Sequence, residues 1–385
     1  MTQRAAIEGL GPPIAAARDT FDAARNLPDP LVDAMSASGL FRLWLPASLG
    51  GEALAPVALL RTIEDLARHD GSAGWCAAIA AGYARLAGAM NPDAARAVFG
   101  TGRGIVAGSL NPTGKAIAAP GGYRVSGRWT YGSFIAHADW VLGNCIAEDK
   151  DGPRKAADGG PDFHLCLVPR DSVEIFDVWH TGGLRGTGSN DYAIHDLFVP
   201  DRFVIPFPAF HPRPCESDPL YAVPLPSTFV CCIAATMLGM ARAAIDALDE
   251  IAASKTAAGA GPVLRDRPMA QADRARAEAL LGAARAWLFH ELDAMWTSVL
   301  REQPVTVDQR ALVRLAAVQA GQSAIQAVDL AYQLAGGVAL RQGGRLDRCF
   351  RDIHAAGQHV VMSPQAYLEP IGRALFGLPP GLARF

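Results

Sequence analysis

The sequence predicts a mostly helical α+β protein in three parts. An N-terminal helical domain is expected over residues 1–103, a central β-barrel-like domain over 104–215 and a C-terminal four-helix bundle over 216–385. Two observations predict this order: helical periodicity at both ends of the chain, and short alternating runs between them. The chain has 385 residues, half of them hydrophobic, which is enough for a large core.

The first helical part covers residues 30–99. Apolar residues there recur at three- and four-residue spacing within Ala-rich segments such as PLVDAMSASGLFRLW, as in helices with one buried face. Breaks are expected at Pro46 and at Gly50-Gly51.

The central part has a different pattern between residues 104 and 206. Short alternating runs, among them YRVSGRW, WVLGNCIA and FHLCLVP, are separated by Gly, Pro and Asp. Alternation with a period of two, bounded by turn residues, predicts several β-strands in one compact domain.

The C-terminal part follows a proline-rich connector, residues 206–226. Long Ala-, Leu- and Arg-rich segments then predict four helices, at about residues 227–254, 270–300, 308–340 and 347–375. Four such helices predict an antiparallel bundle.

Composition excludes several classes of partner. The net charge is −3 with both signs mixed along the chain, so a nucleic-acid partner is not expected. The first residues lack an uninterrupted apolar segment, and the apolar stretch 77–89 is broken by Gly82, Tyr83 and Arg85. We therefore expect a soluble cytoplasmic protein without a membrane span. Seven scattered cysteines form no CxxC pair, which favours reduced packing thiols over zinc or disulfides.

Four segments in this order resemble the acyl-CoA dehydrogenase superfamily over nearly the whole chain. They are LPDPLVDAMSASGLFRLWLPASLGG, GGYRVSGRW, HTGGLRGTGSNDYAIHDLFVP and RCFRDIHAAGQHVVMSPQAYLEPIGRALFG. The resemblance implies the three-part acyl-CoA dehydrogenase fold.

Acyl-CoA dehydrogenation requires a carboxylate base to remove the α-proton of the thioester. In the familiar dehydrogenases this Glu follows an Arg-Asp pair on the last long helix, and the corresponding position here falls near Val360. The alternative position, on the first helix of the bundle, has no acid because residues 219–245 contain neither Asp nor Glu. Glu369 and Asp352 remain conceivable acids, although Asp352 is expected to cap the helix or to pair with Arg351.

The segments GRWTYGS, GLRGTGSND and RDIHAAGQHVVMSP resemble another branch, the oxygenase components of two-component flavin-dependent monooxygenases. The resemblance implies that a separate reductase supplies reduced FMN or FAD. Dioxygen then gives a flavin C4a-hydroperoxide, which transfers one oxygen atom to a small aromatic or heteroatom-bearing substrate.

Ser133 and His359 match the catalytic positions of this branch. Ser133 is expected near flavin N5, and His359 beside the substrate heteroatom as a base or hydrogen-bond donor. From the residues alone, the ordinary interpretation of Ser133 is a turn serine, and that of His359 is a core histidine on an apolar helix; the resemblance favours the catalytic roles. Phe134 replaces the usual glycine after the serine, so it is expected to narrow the substrate pocket.

His354 is the alternative to His359. On a continuous helix, residues five apart point to different sides, so only one of the two histidines is expected to face the pocket. Trp75, in DGSAGWCAAI, is either a wall of the same pocket or a core residue.

Two further groups of cofactor-binding residues follow from the resemblance. The first lies along the flavin and comprises Trp129, Tyr131, Arg185, Thr187 and Ser189. The second lies at a subunit boundary of an expected homotetramer and comprises Arg267, Gln271, Gly336 and Gly337. A glycine-rich β-turn is the alternative interpretation of residues 182–189.

Three functional hypotheses remain. The first is a reduced-flavin-dependent monooxygenase. The second is an acyl-CoA dehydrogenase-like oxidoreductase that uses FAD, and the third is a catalytically silent homologue that binds flavin or a partner.

Overall fold

The computed structural model describes residues 3–157, 159–256, 261–382 and 385. Within these residues, helices precede and follow a single β-sheet, which confirms the predicted fold class. The N-terminal helices are α1 (Gln3–Ala24), α2 (Asp29–Ala37), α3 (Pro56–His69), α4 (Gly71–Ala84) and α5 (Pro92–Phe99).

Helix α1 lies before Pro30, where the predicted helices begin. It buries Ile7, Leu10, Ile14 and Phe21, whose spacing of three, four and seven residues makes one apolar face. Pro12 and Pro13 lie inside the helix and interrupt the sequence pattern, because proline normally marks a helix boundary. The structure therefore adds an element that the sequence pattern did not reveal.

The β-sheet is mixed, with eight strands. They are β1 (Val106–Ala119), β2 (Gly122–Gly132), β3 (Trp140–Asp149), β4 (Gly152–Pro153), β5 (Phe163–Pro169), β6 (Glu174–Phe176), β7 (Asn190–Pro200) and β8 (Val204–Pro206). The spatial order is β6-β7-β2-β1-β3-β5-β8, with β4 paired to β3. Strands β1 and β3 run parallel, whereas the hairpin partners β1 and β2 are antiparallel.

The C-terminal helices are α6 (Leu225–Ser254), α7 (Pro268–Leu300), α8 (Val307–Ala335), α9 (Arg345–Gly357) and α10 (Pro364–Leu375). Helix α6 lies at the centre of this region, because it packs against α3 as well as α8 and α9. It is long and apolar enough to cross a membrane, but 89% of its most apolar stretch is buried inside the fold. That burial is typical of the core helix of a soluble protein.

The last predicted helix, residues 347–375, is wrong as a continuous element. Helix α9 ends at Gly357, a short 3-10 turn covers Val360–Met362, and α10 starts at Pro364. The residue before a proline is pushed away from helical backbone angles, and Ser363 accordingly has a ψ of 115°. His359 is also extended, with a ψ of 130°, so it does not lie on a helix with His354.

All seven cysteines are free thiols, and only Cys215 is exposed. Burial raises the pKa of Cys231 and of Cys349 to about 12. These thiols therefore pack as small apolar side chains and stay protonated at neutral pH.

Candidate active site

A cavity of about 450 Å³ lies between α4, the start of β1, the end of β2 and the C-terminal helices. Its walls are largely aromatic and aliphatic, and the larger of these side chains are Trp75, Ile79, Tyr83, Leu110, Tyr131, Trp179, Phe207, Phe210, Phe229, Val360 and Val361. Its polar side chains are Ser109, Asn111, Ser133, Ser189, Arg314, Gln358, His359 and Tyr367. An apolar cavity with a few polar groups is the usual form of a small-molecule site.

Ser133 reaches the cavity because the backbone turns sharply at the end of β2. Tyr131 and Phe134 both have positive φ angles, of 63° and 68°, which are uncommon for large side chains. The turn is fixed by hydrogen bonds from the Ser133 amide to the Tyr131 carbonyl, 2.8 Å, and from the Phe134 amide to the Thr187 carbonyl, 2.8 Å. The small Gly132-Ser133 step thus ends the strand and turns the serine hydroxyl toward the cavity.

The Ser133 hydroxyl belongs to a buried chain of hydrogen bonds. Trp75 Nε1 donates to Ser133 Oγ at 3.2 Å, and Ser133 Oγ lies 2.8 Å from Ser189 Oγ. Ser189 Oγ lies 2.7 Å from Thr187 Oγ1, which donates to the Leu184 carbonyl at 2.8 Å. The chain connects α4 to the segment 184–189 across the cavity wall.

Helix α4 holds Trp75 in place. Asp70 caps its N-terminus by accepting hydrogen bonds from the amides of Ser72 and Ala73, at 2.9 and 3.1 Å. Arg348 of α9 donates to the other oxygen of Asp70 at 2.8 Å. A capped and ion-paired helix start fixes the position of the following turns, and Trp75 lies in the second of them.

His359 lies in the cavity between two aromatic rings. Its ring centroid is 5.6 Å from that of Trp75 and 6.1 Å from that of Phe229. Nδ1 accepts a hydrogen bond from the Val361 amide at 3.3 Å, which requires Nδ1 to be unprotonated. The neutral ring then carries its proton on Nε2, so it favours donating a hydrogen bond over accepting a proton.

Val360, at the position where the dehydrogenases carry their base, lines the cavity. Among the cavity-lining residues in the described part of the chain there is no Asp or Glu. The conceivable acids lie elsewhere: Glu369 is exposed on α10 and Asp352 is buried outside the cavity lining.

Asp352 interacts with the charge of Arg351, but its hydrogen bond goes to another partner. Its Oδ1 accepts a hydrogen bond from the Leu184 amide at 2.6 Å. Burial, reinforced by the charge of Asp70, raises the pKa of Asp352 from 3.8 to about 7, against the opposing effect of Arg348. Asp352 therefore anchors the segment that carries Ser189.

Two predicted site residues lie in the core instead. Phe134 was expected to narrow the pocket, but its ring is fully buried and packs on Phe41 at 5.4 Å and on His137 at 5.3 Å. The positive φ of Phe134 turns its side chain away from the lining.

Trp129, expected at the flavin, is also outside the cavity lining. Its indole donates to the Asn144 carbonyl at 2.9 Å and stacks on Tyr192 at 5.4 Å. An added Cβ at Gly114 or Gly143 would come within 2.1 or 2.6 Å of this ring, so the glycines make room for the indole within the sheet domain.

The remaining residues expected along the flavin divide into two groups. Tyr131 and Ser189 line the cavity, whereas Arg185 and Thr187 do not. Arg185 donates to the carbonyls of Asp22, 2.8 Å, and Thr181, 2.9 Å, which ties its segment to α1. Thr187 is fully buried behind Ser189.

His354 lies outside the cavity lining, contrary to its assignment to the substrate pocket. Its Nε2 is 2.9 Å from Asp329 Oδ1 on α8, and its ring packs edge-on against Phe350. Because α9 ends between the two histidines, their orientation is set by the break in the helix and not by helical rotation.

The four residues expected at a subunit boundary are also remote from the cavity lining. Arg267 and Gln271 bond to the carbonyls of Pro262 and Arg265 near the start of α7. Gly336 and Gly337 follow the end of α8.

Five polar side chains of the cavity were missed by sequence reasoning: Ser109, Asn111, Arg314, Gln358 and Tyr367. Ser109 and Asn111 come from β1, a strand without a motif that marks its end as a binding edge. Arg314 of α8 is buried with its guanidinium 4.3 Å from the ring of Tyr367 on α10. A buried arginine in an otherwise Ala- and Val-rich helix was the signal that could have revealed this pair.

The chemistry of the lining fits a flavin ring. The ring system presents flat apolar faces and a polar edge, and the cavity offers aromatic walls beside the hydroxyls of Ser109, Ser133 and Ser189 and the amide of Asn111. When bound, a reduced flavin would supply the activation of dioxygen, while these side chains would bind and orient the ring. Within the described residues, no group of His, Cys, Asp and Glu is arranged to hold a metal ion.

Comparison with known proteins gives the class of the chain. Residues 231–364 match the family of acyl-CoA dehydrogenase C-terminal domains. The chain is 33% identical to indole-3-acetate monooxygenase of Pseudomonas putida over 94% of this chain and 90% of that protein. It is 32% identical to the flavin-dependent monooxygenase oxygenase subunit HsaA of Rhodococcus jostii, over 94% and 95% of the two chains.

A solved structure supports the same class. The fold matches XiaF from Streptomyces in complex with FADH2 and glycerol, with a TM-score of 0.90 and 26% identity over 98% of this chain and 96% of that one. The chain belongs to the oxygenase components of the two-component flavin-dependent monooxygenases, within the acyl-CoA dehydrogenase fold. The predicted family and enzyme class are thereby confirmed.

Proposed function

We propose that this chain hydroxylates a small aromatic substrate with dioxygen and reduced FAD or FMN that a separate reductase supplies. The observation that carries the proposal is the cavity, whose described lining combines aromatic walls, hydroxyls and a histidine with no carboxylate. Such a lining suits a planar aromatic ring beside a flavin and lacks the base required for acyl-CoA dehydrogenation. The name of the Pseudomonas relative, an indole-3-acetate monooxygenase, supports an aromatic substrate.

Within this proposal, Ser133 contacts the reactive edge of the flavin and His359 contacts the substrate heteroatom. Trp75, Tyr131 and Ser189 complete the walls around them. The Nδ1 contact of His359 with the Val361 amide supports a role as a hydrogen-bond donor through Nε2.

The assembly we propose is a homotetramer in the cytoplasm, with domains at residues 1–103, 104–215 and 216–385. Large apolar side chains are exposed beside the expected boundary: Met269 is 67% exposed near Arg267, and Leu340 is 70% exposed just after Gly337. A subunit contact at this boundary would remove both apolar side chains from water. The free thiols support a reducing compartment.

A single-turnover experiment tests the function. Purified protein is mixed anaerobically with chemically reduced FAD or FMN and then with oxygenated buffer containing one of a panel of phenols, indoles and aryl acids. We expect hydroxylated product to form in proportion to reduced flavin for at least one aromatic compound. Release of all the oxygen as hydrogen peroxide across the panel, with every compound unchanged, would contradict the proposal.

A second measurement separates the two rival functions. Protein carrying oxidised FAD is mixed anaerobically with short-, medium- and long-chain acyl-CoA thioesters, and bleaching of the flavin absorbance is recorded. Because no carboxylate lines the described cavity, we expect no bleaching. Bleaching would support a dehydrogenase, and failure to bind flavin in either redox state would support a catalytically silent homologue.

A further inference from the structure

The buried hydroxyl chain has two ends with fixed chemistry. At one end, the indole nitrogen of Trp75 can only donate a hydrogen bond, and at the other the Leu184 carbonyl can only accept one. Between them lie the hydroxyls of Ser133, Ser189 and Thr187, joined by contacts of 2.8 and 2.7 Å. Each hydroxyl can donate or accept, so the groups at the two ends decide in which direction the whole series of hydrogen bonds runs.

Only one direction satisfies every contact. The chain has four hydrogens, one on each of Trp75, Ser133, Ser189 and Thr187, and four contacts. Thr187 must donate to Leu184, so Ser189 must donate to Thr187 and Ser133 must donate to Ser189. The three hydroxyl residues are all buried, where a hydrogen bond left unmade is strongly unfavourable.

The Ser133 hydroxyl therefore has no hydrogen left for the cavity. Its proton points to Ser189 and one lone pair receives the Trp75 indole, which leaves a lone pair as the group that Ser133 offers to a ligand. A ligand atom that faces Ser133 must then be a donor. An atom that carries only a lone pair would be repelled there.

We propose that Thr187 fixes this direction and that Ser133 thereby selects the reduced form of the flavin. The inference rests on the proposed function, in which Ser133 faces the N5 edge of the ring. Reduced flavin carries an N–H at N5, whereas oxidised flavin has a bare lone pair at the same atom. A serine that only accepts therefore binds the reduced ring and disfavours the oxidised one, which also assists release of spent flavin to the reductase.

The test compares the dissociation constants of oxidised and reduced flavin in anaerobic titrations. Thr187→Val keeps the shape of the side chain but removes the anchor to Leu184. Ser189 can then donate to Ser133, and the Ser133 proton can turn into the cavity. We expect the ratio of the oxidised to the reduced dissociation constant to fall about 10-fold or more, as for the loss or reversal of one buried hydrogen bond.

Thr187→Ser is the matched control, because it retains the hydroxyl and is expected to keep the wild-type ratio. Ser189→Ala is a second route to the same outcome, since it removes the acceptor of the Ser133 proton, and it replaces Thr187→Val if that variant does not fold. An unchanged ratio in a folded Thr187→Val or Ser189→Ala variant would overturn the inference. If the wild-type protein binds neither form of flavin, the proposed function fails instead.

Discussion

Single side chains define the chemistry of the cavity, and His359 shows how the backbone selects the role of one of them. The amide of Val361 donates a hydrogen bond to Nδ1 of His359. The extended backbone at residue 359 places the ring between Trp75 and Phe229. His354, five residues earlier, pairs with Asp329 outside the lining.

Replacement of His359 by Asn should reduce product formation at the chemical step. Asn carries an amide donor, but its shorter side chain does not reach the position of Nε2, so the hydrogen bond to the substrate is lost. Loss of one such preorganised hydrogen bond lowers a rate by roughly 100-fold or more. The measurement is product formed per reduced flavin in a single turnover, with hydrogen peroxide measured alongside it.

His354→Asn is the control for this prediction. It changes a half-exposed contact with Asp329 that lies outside the cavity lining, so the rate should stay within about threefold of wild type. A large loss in His354→Asn together with normal product in His359→Asn would reverse the assignment.

Asp352→Asn should change how stability depends on pH. In the unfolded chain the carboxyl has its ordinary pKa of 3.8, whereas burial raises the pKa to about 7 in the folded protein. A raised pKa means that the folded state binds the proton more tightly than the unfolded state does. The stability that this carboxyl contributes is therefore fully present below about pH 4 and is lost as the pH rises through 7. The Asn variant does not titrate and should gain stability relative to wild type over that window, by on the order of 2 to 4 kcal/mol.

The check is denaturant unfolding of both proteins between pH 4.5 and 8, taken as the difference between them so that other titrating groups cancel. Asn can still accept the hydrogen bond from the Leu184 amide, which keeps the segment 184–189 in place. A difference that is flat across the window would show that Asp352 is not protonated preferentially in the fold.

Sequence reasoning identified the cavity residues that belong to motifs and missed those defined by orientation. Ser133, Ser189, Trp75 and His359 are all cavity residues. Ser133, Ser189 and His359 stand in segments that resemble the family, and Trp75 stands in the apolar segment DGSAGWCAAI. Phe134 lies in the core at a positive φ, a backbone conformation that no local pattern predicted for a large side chain. Arg314 and Tyr367 meet only through the packing of α8 and α10, which no local pattern encodes.

Among the elements, α6 and α3 pack closely against each other. Gly239 of α6 lies against α3 so tightly that an added Cβ would be 2.3 Å from the Glu64 carbonyl oxygen and 2.7 Å from Ala67 Cβ. The glycine therefore sets the distance between the N-terminal helices and the central helix of the bundle.

Gly239→Ala should destabilise the protein, because overpacking a close helix contact typically costs about 1–3 kcal/mol. Gly282→Ala in α7 is the matched substitution, since nothing lies within 4 Å of its added Cβ. Helix propensity alone should make that variant more stable by roughly 0.5–1 kcal/mol. Denaturant unfolding measures both, and equal effects at the two positions would contradict the packing argument.

Element type was largely predictable, but the interruptions were not. Periodicity located α6 to α8 within a few residues, because long amphipathic segments give a strong signal. The break between α9 and α10 depends on Pro364 and on the extended backbone of His359, and α1 was hidden by its own internal prolines. Pro12 and Pro13 do not prevent a helix over α1, whereas Pro364 does mark the start of a new one. The sequence pattern around each proline predicted the opposite.

At the scale of the whole molecule, the order of the three regions carried the fold prediction. The chain has helices first, then strands, then helices again, and each region contains a segment that resembles the family. This order specified the architecture more strongly than any single motif. Met269 and Leu340 are exposed apolar side chains on the surface of this fold. Their burial between subunits would favour the proposed tetramer.

The double variant Met269→Lys/Leu340→Lys should weaken that assembly, because buried, unpaired charges oppose association. Sedimentation velocity or light scattering should show a larger species for the wild type and a smaller one for the variant. Ile117→Lys on β1, a site 48% exposed and distant in sequence from the proposed boundary, should leave the mass unchanged. A monomeric wild-type protein at micromolar concentration would contradict the tetramer.

The exposure of the cysteine thiols determines where such an enzyme is oxidised during turnover. An oxygenase that leaks hydrogen peroxide exposes its own cysteines to oxidation, and the thiolate is the form that reacts. Six of the seven thiols are buried, and only Cys215 is accessible. Self-inflicted oxidation should therefore be confined to one surface position, and the same position gives chemists a single attachment point for a thiol-reactive label on the native protein.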